Sequence, residues 1–143
     1  MKKITILSKE KFDSLMRQNK WDDLNIPTDT AFISICCKKD IKNNYLRDFK
    51  HREDFHWFNR NHPNVLNVDF DDVIVPVLET KWGTAYGIDD YTAREIVQFA
   101  LDNMDKENLM IHCMAGKSRS VAVGVALSEL LDCKFTCSYG TEN

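Results

Sequence analysis

The sequence is poor in linker residues and carries no excess of positive charge. Its 143 residues include only five glycines and three prolines, and no stretch resembles a flexible linker, so we expect one domain over residues 1–143. The formal net charge of −3 argues against a general nucleic-acid binder, which needs excess Lys and Arg to displace counterions from phosphates. The longest apolar stretch, residues 121–131, is interrupted by Gly124, Ser128 and Glu129. It is too short to cross a bilayer, so we expect no membrane span.

The cysteines do not have the pattern of a disulfide framework. They are odd in number and unevenly spaced: Cys36, Cys37, Cys113, Cys133 and Cys137. Free thiols in a reducing compartment are therefore expected. The first ten residues begin with basic charge but contain too short an apolar segment for a signal peptide, which favours a cytoplasmic location. A free thiol in such a compartment can serve as a nucleophile.

Strand and helix patterns alternate along the chain. Strands are predicted at residues 3–8, 31–37, 65–70 and 109–113; helices are predicted just after the first strand, from a capping box at Thr92–Glu95 onward, and from about Ser118. Residues 38–62 are expected to be part helix and part loop, and residues 73–90 a long connection. This alternation predicts an α/β fold in which a central, largely parallel sheet is flanked by helices.

The segment from His112 to Ser120 carries the strongest chemical signal. Cys113 ends a predicted strand, and Arg119 follows six residues later at the start of a helix. A loop of this length can turn successive backbone N–H groups inward beside the positive end of the helix dipole, which creates an anion site. The same field lowers the pKa of a cysteine. We therefore predict that Cys113 is a nucleophile and that the loop binds a phosphate.

Each remaining position of this loop has a predicted role. The planar guanidinium of Arg119 can hold two phosphate oxygens, and Gly116 permits the turn without a side chain in the cavity. Ser118 and Ser120 can each donate a hydrogen bond to the loop or to the sulfur as it becomes a leaving group. We count Ser120 among the predicted catalytic residues. His112 is expected to brace the loop. The predicted substrate-binding set is Met114, Ala115, Gly116, Lys117, Ser118 and Arg119.

At these residues the sequence resembles the protein-tyrosine phosphatase superfamily, and in particular its dual-specificity members. The family signature is His-Cys, five residues, Arg and then Ser or Thr, which His112, Cys113, Arg119 and Ser120 match. The resemblance implies a phosphotyrosine phosphatase-like fold and hydrolysis through a phosphocysteine, with phosphotyrosine favoured and phosphoserine or phosphothreonine possible. It implies a phosphorylated protein or peptide as partner. It implies neither a metal nor another cofactor.

The resemblance also implies a general acid on a separate loop. Asp72 follows the strand at residues 65–70 and occupies the matching place, so it is the predicted acid. Asp71 is the nearest competitor because a slip of one residue reverses the direction of a side chain, and it is otherwise a supporting residue. Asp89 and Asp90, beyond the long connection, are weaker alternatives.

Several alternatives stay open at this point. The domain could be a phosphate-binding adaptor without catalysis, it could act on lipid or RNA 5′-phosphates, or it could use a similar loop for sulfur transfer or arsenate reduction. Cys36 and Cys37 are expected to pack in the core, with a disulfide to Cys113 as the alternative. Three histidines, His51, His56 and His62, lack the spacing of metal ligands and are expected in surface or packing roles.

Overall fold

A computed structural model describes residues 1–38, 55–81 and 83–137. His51 and most of the segment at 38–62 lie outside these ranges. The elements in chain order are β1 (Lys3–Ser8), α1 (Lys9–Asn19), β2 (Thr30–Cys36), β3 (Val65–Asp69), β4 (Val77–Thr80), β5 (Gly83–Tyr86), α2 (Asp90–Asp102), β6 (Asn108–Cys113), α3 (Arg119–Leu131) and β7 (Lys134–Cys137).

Five strands form one parallel sheet in the order β3-β2-β6-β1-β7. This confirms the α/β prediction of a central parallel sheet flanked by helices in a single small domain. In a parallel sheet all strands end at the same edge. The end of β6 at Cys113 therefore lies beside the ends of β1, where Ser8 pairs with Cys113, and of β2 and β3.

The sheet is buried on both faces, as parallel sheets generally are. On one face α2 and α3 pack over alternate residues of the strands, including Ile6, Ile33 and Ile111. On the other face α1 packs through Phe12 and Met16 onto Phe32. Burying a side chain of this size contributes about 1.5–3 kcal/mol, so the two apolar layers hold the strand ends in fixed positions. Because side chains alternate, Ser34 faces the α1 side and Cys113 the α3 side.

Three local predictions were wrong or incomplete. The connection at 73–90 contains an antiparallel hairpin, β4–β5, which was predicted without regular structure. The helix predicted from Thr92 begins one turn earlier, because Asp89 accepts a hydrogen bond from Thr92 N at 2.7 Å and so caps α2. The short strand β7, which pairs with β1 at the sheet edge, was not predicted.

In the described ranges, no helix has both the length and the apolar character needed to cross a membrane.

Candidate active site

The loop between β6 and α3, residues 113–119, is held against the start of the chain. The amide of Lys9 donates to the carbonyl of Met114 at 3.1 Å. Gly116 has φ +70°, and a Cβ there would lie 2.7 Å from the backbone of Leu7 and of Ser8. Only glycine combines this left-handed backbone with so close an approach. Glycine was predicted here to permit the turn and to keep a side chain out of the cavity; the positive φ agrees with the first reason, and the space that a side chain would need is occupied by the backbone of β1.

Cys113 lies under this loop with its thiol directed at the first turn of α3. The side chain is buried, and its Sγ is 3.1 Å from Oγ of Ser120. Burial raises the pKa of the thiol, but hydrogen bonds from the hydroxyl and amide of Ser120, the charge of Arg119 and the amide of Gly116 together outweigh it. The pKa of Cys113 is therefore lowered, and its thiolate is stabilised.

Arg119 lies at the first residue of α3, nearly buried. Its Nη1 donates to the carbonyl of Phe70 at 2.9 Å and lies 3.6 Å from Sγ of Cys37. The guanidinium thus joins the 113–119 loop to the ends of β2 and β3, close enough to Cys113 to act on its pKa. Cys37 consequently lies near the loop, whereas Cys36 faces the opposite side of the sheet from Cys113.

Asp72 is held at the mouth of the loop. Oγ of Ser118 donates to its carboxylate at 2.8 Å, and both side chains are exposed. Ser118 is also the N-cap of α3, but its side chain makes no capping hydrogen bond to this helix. The first turn of α3 therefore begins without a side-chain acceptor from its N-cap residue. Such a helix start attracts an anion.

Asp71 has a different environment from its neighbour. It is buried, and its two carboxylate oxygens accept the amides of Lys38 at 2.8 Å and of Tyr86 at 2.7 Å. These bonds tie the end of β2 to the β4–β5 hairpin. Because both oxygens of Asp71 accept backbone amides, this carboxylate is a structural anchor, whereas that of Asp72 is exposed beside Ser118.

The two later aspartates lie at the start of α2. Asp89 caps this helix, and the hydrogen bonds from Thr92, backbone first, lower the pKa of its carboxyl. A carboxyl held ionised as a helix cap is poorly suited to donate a proton. Asp90 is exposed in the first turn of the same helix.

The remaining loop residues differ in exposure. Ala115 and Lys117 are exposed and Met114 is half-buried, so the loop presents its backbone and one lysine toward solvent. A cavity of about 570 Å³ adjoins Asp72, Ser118 and Arg119. Its other walls are mostly apolar and come from the segment after Asp72 and from α2 and α3.

His112 is completely buried on the α1 side of the sheet, with its ring 4.3 Å from that of Phe12. Burial, followed by the charge of Lys9, lowers its pKa to about 3, against a weaker opposing effect of the Cys113 carbonyl. His112 is therefore neutral near neutral pH. Its Nε2 is 2.6 Å from Oγ of Ser34, and its Nδ1 is 3.4 Å from the carbonyl of Cys113.

Three residues that were not predicted for the site connect to His112. Oγ of Ser34 is also 2.6 Å from Nδ1 of His56, whose Nε2 is 2.7 Å from a carboxylate oxygen of Asp69. His56 was expected in a surface or packing role. The available signal was Ser34 itself, because a hydroxyl in an otherwise apolar buried strand must find a hydrogen-bond partner.

Cys36, His56 and Asp69 place one potential ligand atom each within 4.8 Å of one another, as a metal site requires. Sγ of Cys36 is 3.4 Å from Nδ1 of His56, a proximity that the sequence spacing of these residues did not predict. Both ring nitrogens of His56, however, already have partners in Ser34 and Asp69. A cation could bind here only by displacing one of these hydrogen bonds.

No protein-family model matches this chain, and no match was found among curated proteins or among solved structures. The assignment of a function therefore rests on the geometry of the site and on the sequence resemblance.

Proposed function

We propose that this protein is a cysteine-dependent phosphatase of the protein-tyrosine or dual-specificity type. The proposal is supported above all by the presence of a thiol and a carboxylate at the same loop. A buried Cys113 with a lowered pKa lies beneath the 113–119 loop, and Ser118 holds the carboxylate of Asp72 over the same loop at 2.8 Å. A nucleophile and a proton donor that both adjoin an anion-binding loop are the groups that this reaction requires.

In the proposed reaction the thiolate of Cys113 attacks phosphorus, and the bond to the leaving oxygen breaks as Asp72 protonates that oxygen. Water then attacks the phosphocysteine with Asp72 as base, which releases phosphate and restores the thiolate. Arg119 and the loop amides stabilise the charge on the equatorial oxygens. The hydroxyl of Ser120, 3.1 Å from the sulfur, stabilises the thiolate when it departs. Lys117 adds positive charge at the loop rim, while Met114 and Ala115 contribute backbone amides.

The apolar cavity beside Asp72 supports an aromatic leaving group. At about 570 Å³ it adjoins the acid and the phosphate clamp, and its walls suit a phenyl ring better than a charged chain. Phosphotyrosine in a protein or peptide is therefore the favoured substrate. A substrate panel tests this preference by comparing the rate of phosphotyrosine hydrolysis with the rates for phosphoserine, phosphothreonine, lipid phosphates and RNA 5′-phosphates.

The experiment is hydrolysis of para-nitrophenyl phosphate in the presence of a chelator. Turnover by the unaltered protein and none by Cys113→Ser is the expected result, with a phosphocysteine trapped by rapid acid quench. Phosphopeptide binding without any turnover would instead indicate an adaptor. Reduction of arsenate or transfer of sulfur from thiosulfate, with no phosphate released, would assign a different enzyme class.

The acid is tested by the pH dependence of kcat in two variants. Asp72→Asn is expected to lower kcat by about 10²- to 10⁴-fold and to remove the basic limb of the profile. Asp71→Asn is the matched control, because it makes the same chemical change at the adjacent residue and is expected to keep the basic limb. A basic limb that persists in Asp72→Asn would rule out the acid role of this residue.

A further inference from the structure

The cavity beside Asp72 continues along α3, away from the phosphate loop. Its wall on this helix is formed by residues spaced three and four apart, which lie on one face: Arg119, Ala122, Val123, Ala126 and Leu127. Arg119 and Leu127 are eight residues apart, which corresponds to about 12 Å along a helix. The cavity, here called the α2–α3 groove, is therefore longer than the phenyl ring of one phosphotyrosine.

Small side chains keep the α2–α3 groove open. Ala93 from α2 and Ala122 and Ala126 from α3 line it, and each of these side chains ends at a methyl group. Ala122 and Ala126 are exposed, so solvent reaches the groove along α3. The bottom of the groove consists of larger side chains that are buried: Phe70, Ile96 and Leu127. An apolar group can therefore enter the groove without displacing a packed side chain.

The remaining wall joins the groove to the candidate acid. Residues 73–76 line the cavity directly after Asp72, and Ile88 lines it from the far side of the β4–β5 hairpin. Ile74, Val75 and Ile88 are exposed apolar side chains at this rim. Apolar side chains that cluster on a surface around a groove are typical of a binding site. The groove and the proposed catalytic groups thus form one continuous surface.

The charges around the groove favour a peptide over a membrane lipid. The charged residues among the described part of its lining are Asp71, Asp72 and Arg119. Of these, Arg119 is positive, and it lies at the phosphate loop. Asp89 and Asp90 follow Ile88 and are exposed. An anionic membrane surface is attracted by clustered Lys and Arg and is repelled by such carboxylates. The apolar occupant that fits this rim is therefore a side chain of a peptide.

An extended peptide places its side chains at a spacing that suits the groove. Side chains two residues apart point to the same side of an extended chain and are separated by about 6.5–7 Å, whereas those of adjacent residues point to opposite sides. When a phosphotyrosine places its phosphate in the 113–119 loop, a side chain two residues away can lie farther along the groove, toward Ala126. A side chain of an adjacent residue points away from it.

We propose that the α2–α3 groove is a specificity pocket, which makes the protein prefer phosphotyrosine peptides that carry an apolar side chain two residues from the phosphotyrosine. The end of the groove beside Asp72 and Arg119 takes the phenyl ring, and the end beside Ala126 and Leu127 takes the apolar side chain. The inference rests on the proposed function for the identity of the phosphorylated residue.

The test compares kcat/KM for phosphotyrosine peptides that differ at one position. We expect leucine in place of alanine, two residues before or two residues after the phosphotyrosine, to raise kcat/KM by about 10- to 50-fold, because the leucine side chain leaves water. Leucine at the positions adjacent to the phosphotyrosine is the matched control and should have little effect. This comparison uses the unaltered protein and does not depend on the folding of a variant.

Ala126→Phe tests the location of the pocket, because it fills the far end of the groove with an aromatic ring. The ratio of kcat/KM for the leucine and alanine peptides should then fall close to one. Val125→Phe is the matched control. It places the same ring at the adjacent exposed residue of α3, which is not part of the described lining of the groove, and it should keep the full ratio.

Binding gives a second readout that needs no turnover. Peptides in which a non-hydrolysable difluoromethylphosphonate replaces the phosphate ester are titrated into the protein, and Kd is measured by calorimetry. We expect the same preference for leucine at the same position, with loss of this preference in Ala126→Phe and its retention in Val125→Phe.

Equal kcat/KM and equal Kd for the leucine and alanine peptides would overturn the inference, as would a preference that persists in Ala126→Phe. Faster hydrolysis of a long-chain lipid phosphate than of every peptide would also overturn it, since the groove would then take an acyl chain. Turnover of phosphotyrosine without a leucine preference contradicts this inference alone. Selective binding of the phosphonate peptides without any turnover of the phosphate esters contradicts the proposed catalysis alone.

Discussion

Replacing His112 with glutamine is expected to reduce the sensitivity of the fold to acid. Burial, with the charge of Lys9, lowers the pKa of His112 from 6.5 to about 3 in the folded protein. The folded state therefore binds this proton less readily than the unfolded chain. The contribution of neutral His112 to the free energy of unfolding is therefore fully present above about pH 6.5. It is lost as the pH falls from that value toward about 3, because the unfolded chain takes up the proton first.

The size of the effect follows from the separation of the two pKa values. Each pH unit within this window is worth about 1.4 kcal/mol, so a fall from about pH 6.5 to about 4.5 lowers the free energy of unfolding by about 3 kcal/mol through this group alone. In His112→Gln that contribution is absent, and the side-chain amide can still bond to Ser34. Other titrating groups affect both proteins alike and cancel in the comparison.

The assay is urea unfolding at about pH 7 and about pH 4.5. The loss of unfolding free energy between the two conditions should be smaller in His112→Gln than in the unaltered protein, by about 3 kcal/mol. Leu109→Val, which changes a buried apolar side chain and removes neither a titrating group nor a side-chain hydrogen bond, should keep the full loss. An identical loss in His112→Gln would refute the claim that a neutral, buried His112 underlies the acid sensitivity.

Three further predictions concern the loop and its anchor. Ser120→Ala removes a hydrogen bond to a charged sulfur and should raise the pH midpoint of Cys113 alkylation by about one unit; an unchanged midpoint would contradict the 3.1 Å contact. Gly116→Ala places a Cβ 2.7 Å from the backbone of β1 and should abolish turnover and lower Tm, whereas normal activity would exclude the described loop. Asp71→Asn turns an amide hydrogen toward a backbone N–H and should cost about 1–3 kcal/mol in urea unfolding; no loss would contradict its anchor role.

The strands and the loop could be predicted from sequence because their signals are local. Apolar runs predicted β2 and β6 to within one residue, and the pattern around Cys113 predicted the loop between β6 and α3 independently of the rest of the chain. The β4–β5 hairpin was missed because its strands are four residues each and mostly exposed, which leaves little alternation to detect. The start of α2 was predicted too late because Thr92 and Glu95 fit a capping box, whereas the residue that caps the helix is Asp89.

The hydrogen-bond chain behind the loop could not be predicted from sequence. Ser34 and His112 are 78 residues apart, and His56 meets Ser34 across 22 residues, so only the register of the sheet brings them together. The different surroundings of Asp71 and Asp72 could not be predicted from sequence for the same reason. The two residues are adjacent beyond the end of β3, and the partners that distinguish them, Tyr86 and Ser118, come from later parts of the chain.

The place of β1 beside β6 has a consequence for how the protein acquires its site during synthesis. Lys3 pairs with Asn108, so β1 gains this neighbour only after about one hundred further residues have been synthesised. Contacts of such long sequence separation form late and slow the search. The part of β1 against which Gly116 rests is thus made long before the loop that it supports, and the candidate site is assembled only after β6 and that loop have been synthesised.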